Sequence, residues 1–217
     1  MTSRILSVST PAGLGRVTLI DDCQGPQGRQ RPSGLLLLGH GAGGARWTPD
    51  IDAVVDAAVA AGWCVALVDQ PWRLAGKRVG PGPAHLDLAW VPLVAAAVEA
   101  SRAPGPVVVG GRSAGARVAC RTCATVGADA VLALSFPLYP PGRPEASRAA
   151  ELLVPSQAGL PLRVIQGSAD RFGTPTQIAA VLGDGDVVAV DGTHALSHVE
   201  PVAAAAVQWL TRLAAGR

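Results

Sequence analysis

The apolar positions of this chain fall into two kinds of run that alternate along it. The short, uninterrupted ones are Gly34–Gly39 (GLLLLG), Trp63–Asp69 (WCVALVD), Val107–Val109, Ala130–Phe136 (AVLALSF), Leu162–Gln166 (LRVIQ) and Asp186–Val190 (DVVAV). Runs apolar on both faces suit buried strands of a parallel sheet covered on each side by helices. Between them the period changes. Thr48 caps a helix with Pro49 at its first position, and Ile51, Val54, Val55, Ala58 and Val59 recur at helical spacing until Gly62 stops it. His85–Ala100 reads as a helix kinked or begun at Pro92. Another helix follows Ser113, Thr174-Pro175 opens one through Leu182, and Val199–Ala215 closes the chain as an amphipathic helix. Arg16–Ile20 reads as a short first strand, and Asp22–Ser33, rich in Gly, Pro and Gln, as a loop. Strand and helix in regular alternation predict an α/β fold: one domain over residues 1–217, with a mostly parallel sheet flanked by helices on both faces and no large cap.

Polar residues gather where these strands end. His40-Gly41-Ala42-Gly43-Gly44 follows the first buried run, and Gln70–Pro83, with Trp72, Arg73, Lys77 and Arg78, follows the second. Pro137–Gly142 is a rigid apolar loop after Ala130–Phe136. In an open α/β sheet the carboxyl ends of the strands are where ligands bind.

Composition narrows the partners. A net charge of +2 is too small for a nucleic-acid surface, and the longest apolar runs fall well short of the ~20 residues a membrane-spanning helix needs. No basic segment followed by a long apolar one opens the chain, so a cytoplasmic location without membrane association is expected. The cysteines fit that expectation. Cys64 lies in a predicted buried strand, and Cys120 and Cys123 form a C-x-x-C within a predicted helix, with no second pair or nearby histidine to make a metal site. The glycine-rich loop after His40 lacks the Lys-Ser/Thr of a phosphate-binding loop, so no cofactor is expected either.

The chemistry centres on PVVVGGRSAGARV, Pro106–Val118. A β-branched run leading into Gly111-Arg112-Ser113-Ala114-Gly115 and then a helix is the strand–turn–helix context of a G-x-S-x-G turn. It holds the Ser113 hydroxyl clear of the backbone and aims the N–H of Ala114 at the space beside it. A serine needs a base, and the base needs an orienting acid. Asp170 follows Leu162–Gln166 and His194 follows Asp186–Val190, giving the order Ser, Asp, His. His198, a helical turn beyond, is also available as the base; His194 is favoured because it comes earlier in the loop and leaves His198 to start the closing helix.

The HGAGG loop, GGRSAGARVA, FPLYPPGRPE, QGSADRFGTP and DGTHALS together resemble small serine α/β-hydrolases of the dienelactone-hydrolase-like group, in its compact branch. The resemblance implies Ser113 as nucleophile, Asp170 as orienting acid, His194 as base, and the backbone N–H groups of Ala42 and Ala114 as the oxyanion hole. Dienelactone hydrolases proper carry a cysteine nucleophile where this chain has Ser113. His40, Trp72, Arg112, Phe136 and Tyr139 are the expected pocket residues, with the Arg112 cation favouring an anionic substrate. The expected function is hydrolysis of a small ester, thioester or related acyl compound. Acyl transfer by the same residues, or a catalytically silent scaffold, are the alternatives.

Overall fold

The computed structural model describes residues 3–20, 32–43, 47–143 and 145–216. Cys23, Gly44, Pro144 and most of the expected Asp22–Ser33 loop lie outside these residues.

Among the described residues eight strands form one sheet: β1 (Ser3–Thr10), β2 (Gly13–Ile20), β3 (Leu35–Gly39), β4 (Cys64–Asp69), β5 (Val107–Arg112), β6 (Ala130–Leu134), β7 (Leu162–Gly167) and β8 (Val187–Val190). Their order is β1-β2-β4-β3-β5-β6-β7-β8. From β4 to β8 every pairing is parallel, while β1 and β2 add an antiparallel edge. β1 escapes the sequence reading because it is an exposed edge strand: its residues alternate between exposed and half-buried, so no apolar run marks it. The helices are α1 (Pro49–Ala60), α2 (Pro71–Leu74), α3 (Pro83–Ser101), α4 (Ala114–Thr122), α5 (Ala149–Gln157), α6 (Pro175–Leu182) and α7 (Val199–Ala215). Two were not expected. α2 is a single turn inside the Gln70–Pro83 loop, and α5 contains Pro155, which conceals a helix in sequence although only its last turn is affected.

Because neighbouring strand residues point to opposite faces, the runs divide between two cores. Leu35, Leu37, Val109, Val131 and Val164 pack with Trp90, Leu93, Leu152 and Ile178 of α3, α5 and α6, whereas Leu36, Leu38, Val108, Leu132 and Ile165 pack with Ile51, Val54, Val202 and Trp209 of α1 and α7. On the first face Arg117 and Arg121 of α4 bind Glu151 of α5, and Arg121 also binds Asp87 of α3. Cys120 and Cys123 are free and buried there, and burial pushes both thiols up, which makes them packing residues with no thiolate to offer. Cys64 is also buried, but it is disulfide-bonded, which its place in an apolar strand did not suggest. Among the described residues no helix is long and apolar enough to cross a membrane.

Candidate active site

Three glycines bring the central strands and α4 close enough for the turn at Ser113 to form. A β-carbon on Gly115 would lie 2.3 Å from the carbonyl oxygen of Gly39, and one on Gly111 would lie 2.4 Å from the same oxygen. At Gly39 a β-carbon would meet the Trp90 ring at 2.8 Å. With these contacts closed to side chains, Ser113 adopts φ 54° and ψ −106° and caps α4. That conformation is costly for a residue with a β-carbon and is retained because the structure around it is fixed. The N–H of Ser113 is held by the Leu134 carbonyl at 2.9 Å.

Asp170 and His194 arrive from the ends of β7 and β8. His194 Nε2 lies 3.0 Å from Ser113 Oγ, and its Nδ1 lies 2.8 Å from Asp170 Oδ2. An ionised Asp170 places the proton on Nδ1, leaving Nε2 to accept from the serine hydroxyl. Asp170 is 1% exposed, and its other oxygen accepts from the Phe172 N–H at 2.9 Å. The Phe172 ring closes one side of His194, edge-on at 4.7 Å. His198 caps α7 and is exposed, so the residue aligned with Ser113 and Asp170 is His194.

The loop after β3 passes beside Ser113: a β-carbon on Gly41 would stand 3.8 Å from Ser113 Cβ. His40 fixes this loop. It is buried, and its ring accepts from the Gln70 N–H through Nε2 at 3.2 Å, which leaves Nδ1 to donate to the Gly41 carbonyl at 2.8 Å. Burial, with the Arg73 cation adding to it, lowers its pKa from 6.5 to about 4, so the ring stays neutral. Ala42 follows Gly41 in this loop, and Ala114, the first residue of α4, follows Ser113 directly.

The expected pocket residues divide. The Trp72 ring lies tilted against His40, with centroids 5.2 Å apart, and lines a cleft of about 520 Å³ together with Leu14, Pro71, Lys77, Val79 and His85. This cleft stands beside the end of β4, and Ser113, Asp170 and His194 are not among its walls. Tyr139 is half-buried, with its N–H on the Phe172 carbonyl. Phe136 is a correction. It is fully buried because the Gln166 side chain clamps its N–H and carbonyl and turns the ring into the core, so it cannot touch a substrate. The Arg112 guanidinium forms an ion pair with Asp50, at 3.1 Å, and donates from Nη2 to the His194 carbonyl, at 2.7 Å.

The sequence reading also missed three polar supports. Gln166 donates to Asp170 Oδ2 at 2.8 Å, Ser135 donates to the His194 carbonyl at 3.0 Å, and Asp50 pairs with Arg112. A glutamine closing the apolar run LRVIQ was the one visible signal. Among the described residues no group of three or more histidines, cysteines or acids is placed to hold a metal.

Residues 32–211 match the family described as the alpha/beta hydrolase domain. Solved structures agree over nearly the whole length. A lidless α/β serine hydrolase from Xanthomonas campestris gives a TM-score of 0.70 at 18% identity, covering 98% of this chain and 94% of that one. A dienelactone hydrolase from Anabaena variabilis gives 0.72 at 17%, covering 98% of both chains, and an α/β serine hydrolase homologue from Coxiella burnetii gives 0.71 at 16%, covering 98% and 97%. At such identities the likeness speaks for the fold. No curated protein matches the sequence.

Proposed function

The chain belongs to the alpha/beta hydrolase family, and on that premise we propose that it is a serine hydrolase cleaving a small ester, thioester or related acyl compound through an acyl-enzyme. The observation that carries the reading is the hydrogen-bonded line from Ser113 Oγ through His194 to Asp170. In the first step Ser113 Oγ bonds to the acyl carbon while its proton passes to His194 Nε2, and Asp170 stabilises the imidazolium and keeps its orientation. The carbonyl oxygen becomes an oxyanion held by the N–H groups of Ala114 and Ala42. His194 then gives its proton to the departing alcohol or thiol. In the second step a water loses a proton to His194 Nε2, bonds to the acyl carbon and releases the acid, and Ser113 recovers its proton.

The test is turnover of short-chain p-nitrophenyl esters and acyl thioesters by the wild type and by Ser113→Ala. Product analysis with and without an added alcohol separates hydrolysis from acyl transfer. Turnover that survives in Ser113→Ala would overturn the mechanism.

A further inference from the structure

We propose that Arg112 is a positioning residue that holds the base of the hydrolase through its main chain, an inference that rests on the serine-hydrolase reading above. The residue before the serine bridges two other elements of the site. Arg112 Nη2 donates to the His194 carbonyl at 2.7 Å, and Nε lies 3.1 Å from Asp50 Oδ2. Asp50 belongs to the first turn of α1, Arg112 to the end of β5 and His194 to the loop after β8, so one guanidinium ties three separate elements. It also passes under the loop after β3, where a β-carbon on Gly41 would come within 3.3 Å of Nη1.

Each end of the bridge is buried. The Asp50 side chain has 0% exposure and that of Arg112 14%, and Arg112 is the cation that compensates the Asp50 charge. The His194 carbonyl receives a second donor, Ser135 Oγ, from a fully buried residue at φ 47°. Two donors on that carbonyl fix the backbone from which the imidazole projects. Asp170 then sets only the rotation of the ring. The guanidinium donates a hydrogen bond from Nη2 to the His194 carbonyl and meets Asp50 through Nε as an ion pair without hydrogen-bond geometry; the compact ammonium of a lysine does not reproduce these two separated contacts of a rigid plane. A displacement of about 1 Å in a reacting group can cost on the order of 100-fold in rate.

The consequence for specificity is the reverse of what a cation next to the nucleophile suggests. Arg112 contributes to turnover of every substrate alike and gives no preference for anions.

The experiment compares p-nitrophenyl acetate with its anionic counterpart, p-nitrophenyl hemisuccinate, on wild type, Arg112→Lys and the double variant Asp50→Asn/Arg112→Met. Arg112→Lys keeps a cation beside Asp50, and the double variant removes both charges, so neither leaves a buried carboxylate alone. Both are expected to lose kcat by about 10- to 100-fold on the two esters equally, with KM little changed. Addition of methylguanidinium is expected to restore part of the activity of the double variant. Loss confined to the hemisuccinate, or expressed in KM, would overturn the proposal in favour of a substrate-binding cation. Undiminished kcat in folded Arg112→Lys would also overturn it. A wild type that fails to turn over either ester and takes no adduct at Ser113 would instead remove the hydrolase reading itself.

Discussion

Gln166 Nε2 donates to the same oxygen of Asp170 that accepts from His194, at 2.8 Å in each case. The glutamine is fully buried at the end of β7, and its amide also bonds to the Gly173 carbonyl and to both backbone groups of Phe136. One side chain thus joins the acid to the strand end beside the serine.

Replacing it removes more than one bond. Gln166→Leu leaves the buried N–H of Phe136 and the carbonyl of Gly173 without this partner, and an unpaired buried group costs about 1–3 kcal/mol. The variant is expected to lose roughly 3 kcal/mol of stability in urea unfolding. Where it still folds, Ser113 should react with a fluorophosphonate about 10-fold more slowly, because Asp170 is freed to rotate. Unchanged stability and unchanged reactivity would show that the amide is dispensable.

His40 makes stability depend on pH in a direction opposite to that of a histidine in an ion pair. Its folded pKa, about 4, lies below the ordinary value of 6.5, so the folded protein favours the neutral ring. Above pH 6.5 neither state is protonated and the contribution is complete. As pH falls through 6.5 the unfolded chain binds a proton that the folded chain refuses, and stability declines until about pH 4, where the folded ring protonates too. The loss approaches roughly 3 kcal/mol at most. His40→Asn is expected to flatten this part of the profile when ΔG of unfolding is measured across pH 4–7. An unaltered slope would assign the acid sensitivity to other groups.

The glycines around the serine differ sharply in what they tolerate. Gly115→Ala would force its methyl to 2.3 Å from the Gly39 carbonyl oxygen, against backbone atoms of Gly39 and His40, whereas Gly43 has nothing within 4 Å. Gly115→Ala is expected to abolish soluble expression or to cost more than about 3 kcal/mol, while Gly43→Ala should stay within about 0.5 kcal/mol of wild type. Thermal unfolding of the two variants side by side reads the difference.

Much of this arrangement was legible from the chain alone, and for physical reasons. Leu35–Gly39 and Cys64–Asp69 are buried on both faces, so their apolar runs mark strands without ambiguity. Thr48-Pro49, Thr174-Pro175 and the Val199–Ala215 pattern locate helix starts through position and period; Thr48 takes the N-cap position of α1 without a side-chain capping bond, whereas Thr174 with Gln177 forms a capping box. Ser113, Asp170 and His194 could be found because each follows a recognisable strand. What was missed depends on exposure or on direction. β1 is an edge strand with little buried surface, and α5 has Pro155 in its pattern. At Phe136 and Arg112 sequence places a residue near the site, but a backbone clamp or a distant carboxylate such as Asp50 decides where the side chain points.

The central claim is that Ser113 is an activated nucleophile, and intact mass spectrometry after treatment with a fluorophosphonate at neutral pH tests it most directly. The reagent bonds to Oγ with loss of fluoride, and only a serine whose proton has somewhere to go reacts readily. One adduct on the wild type, absent from Ser113→Ala and strongly slowed in His194→Ala but not in His198→Ala, is the predicted result. A well-folded wild type that takes no adduct, or an adduct that persists in Ser113→Ala, would contradict the account.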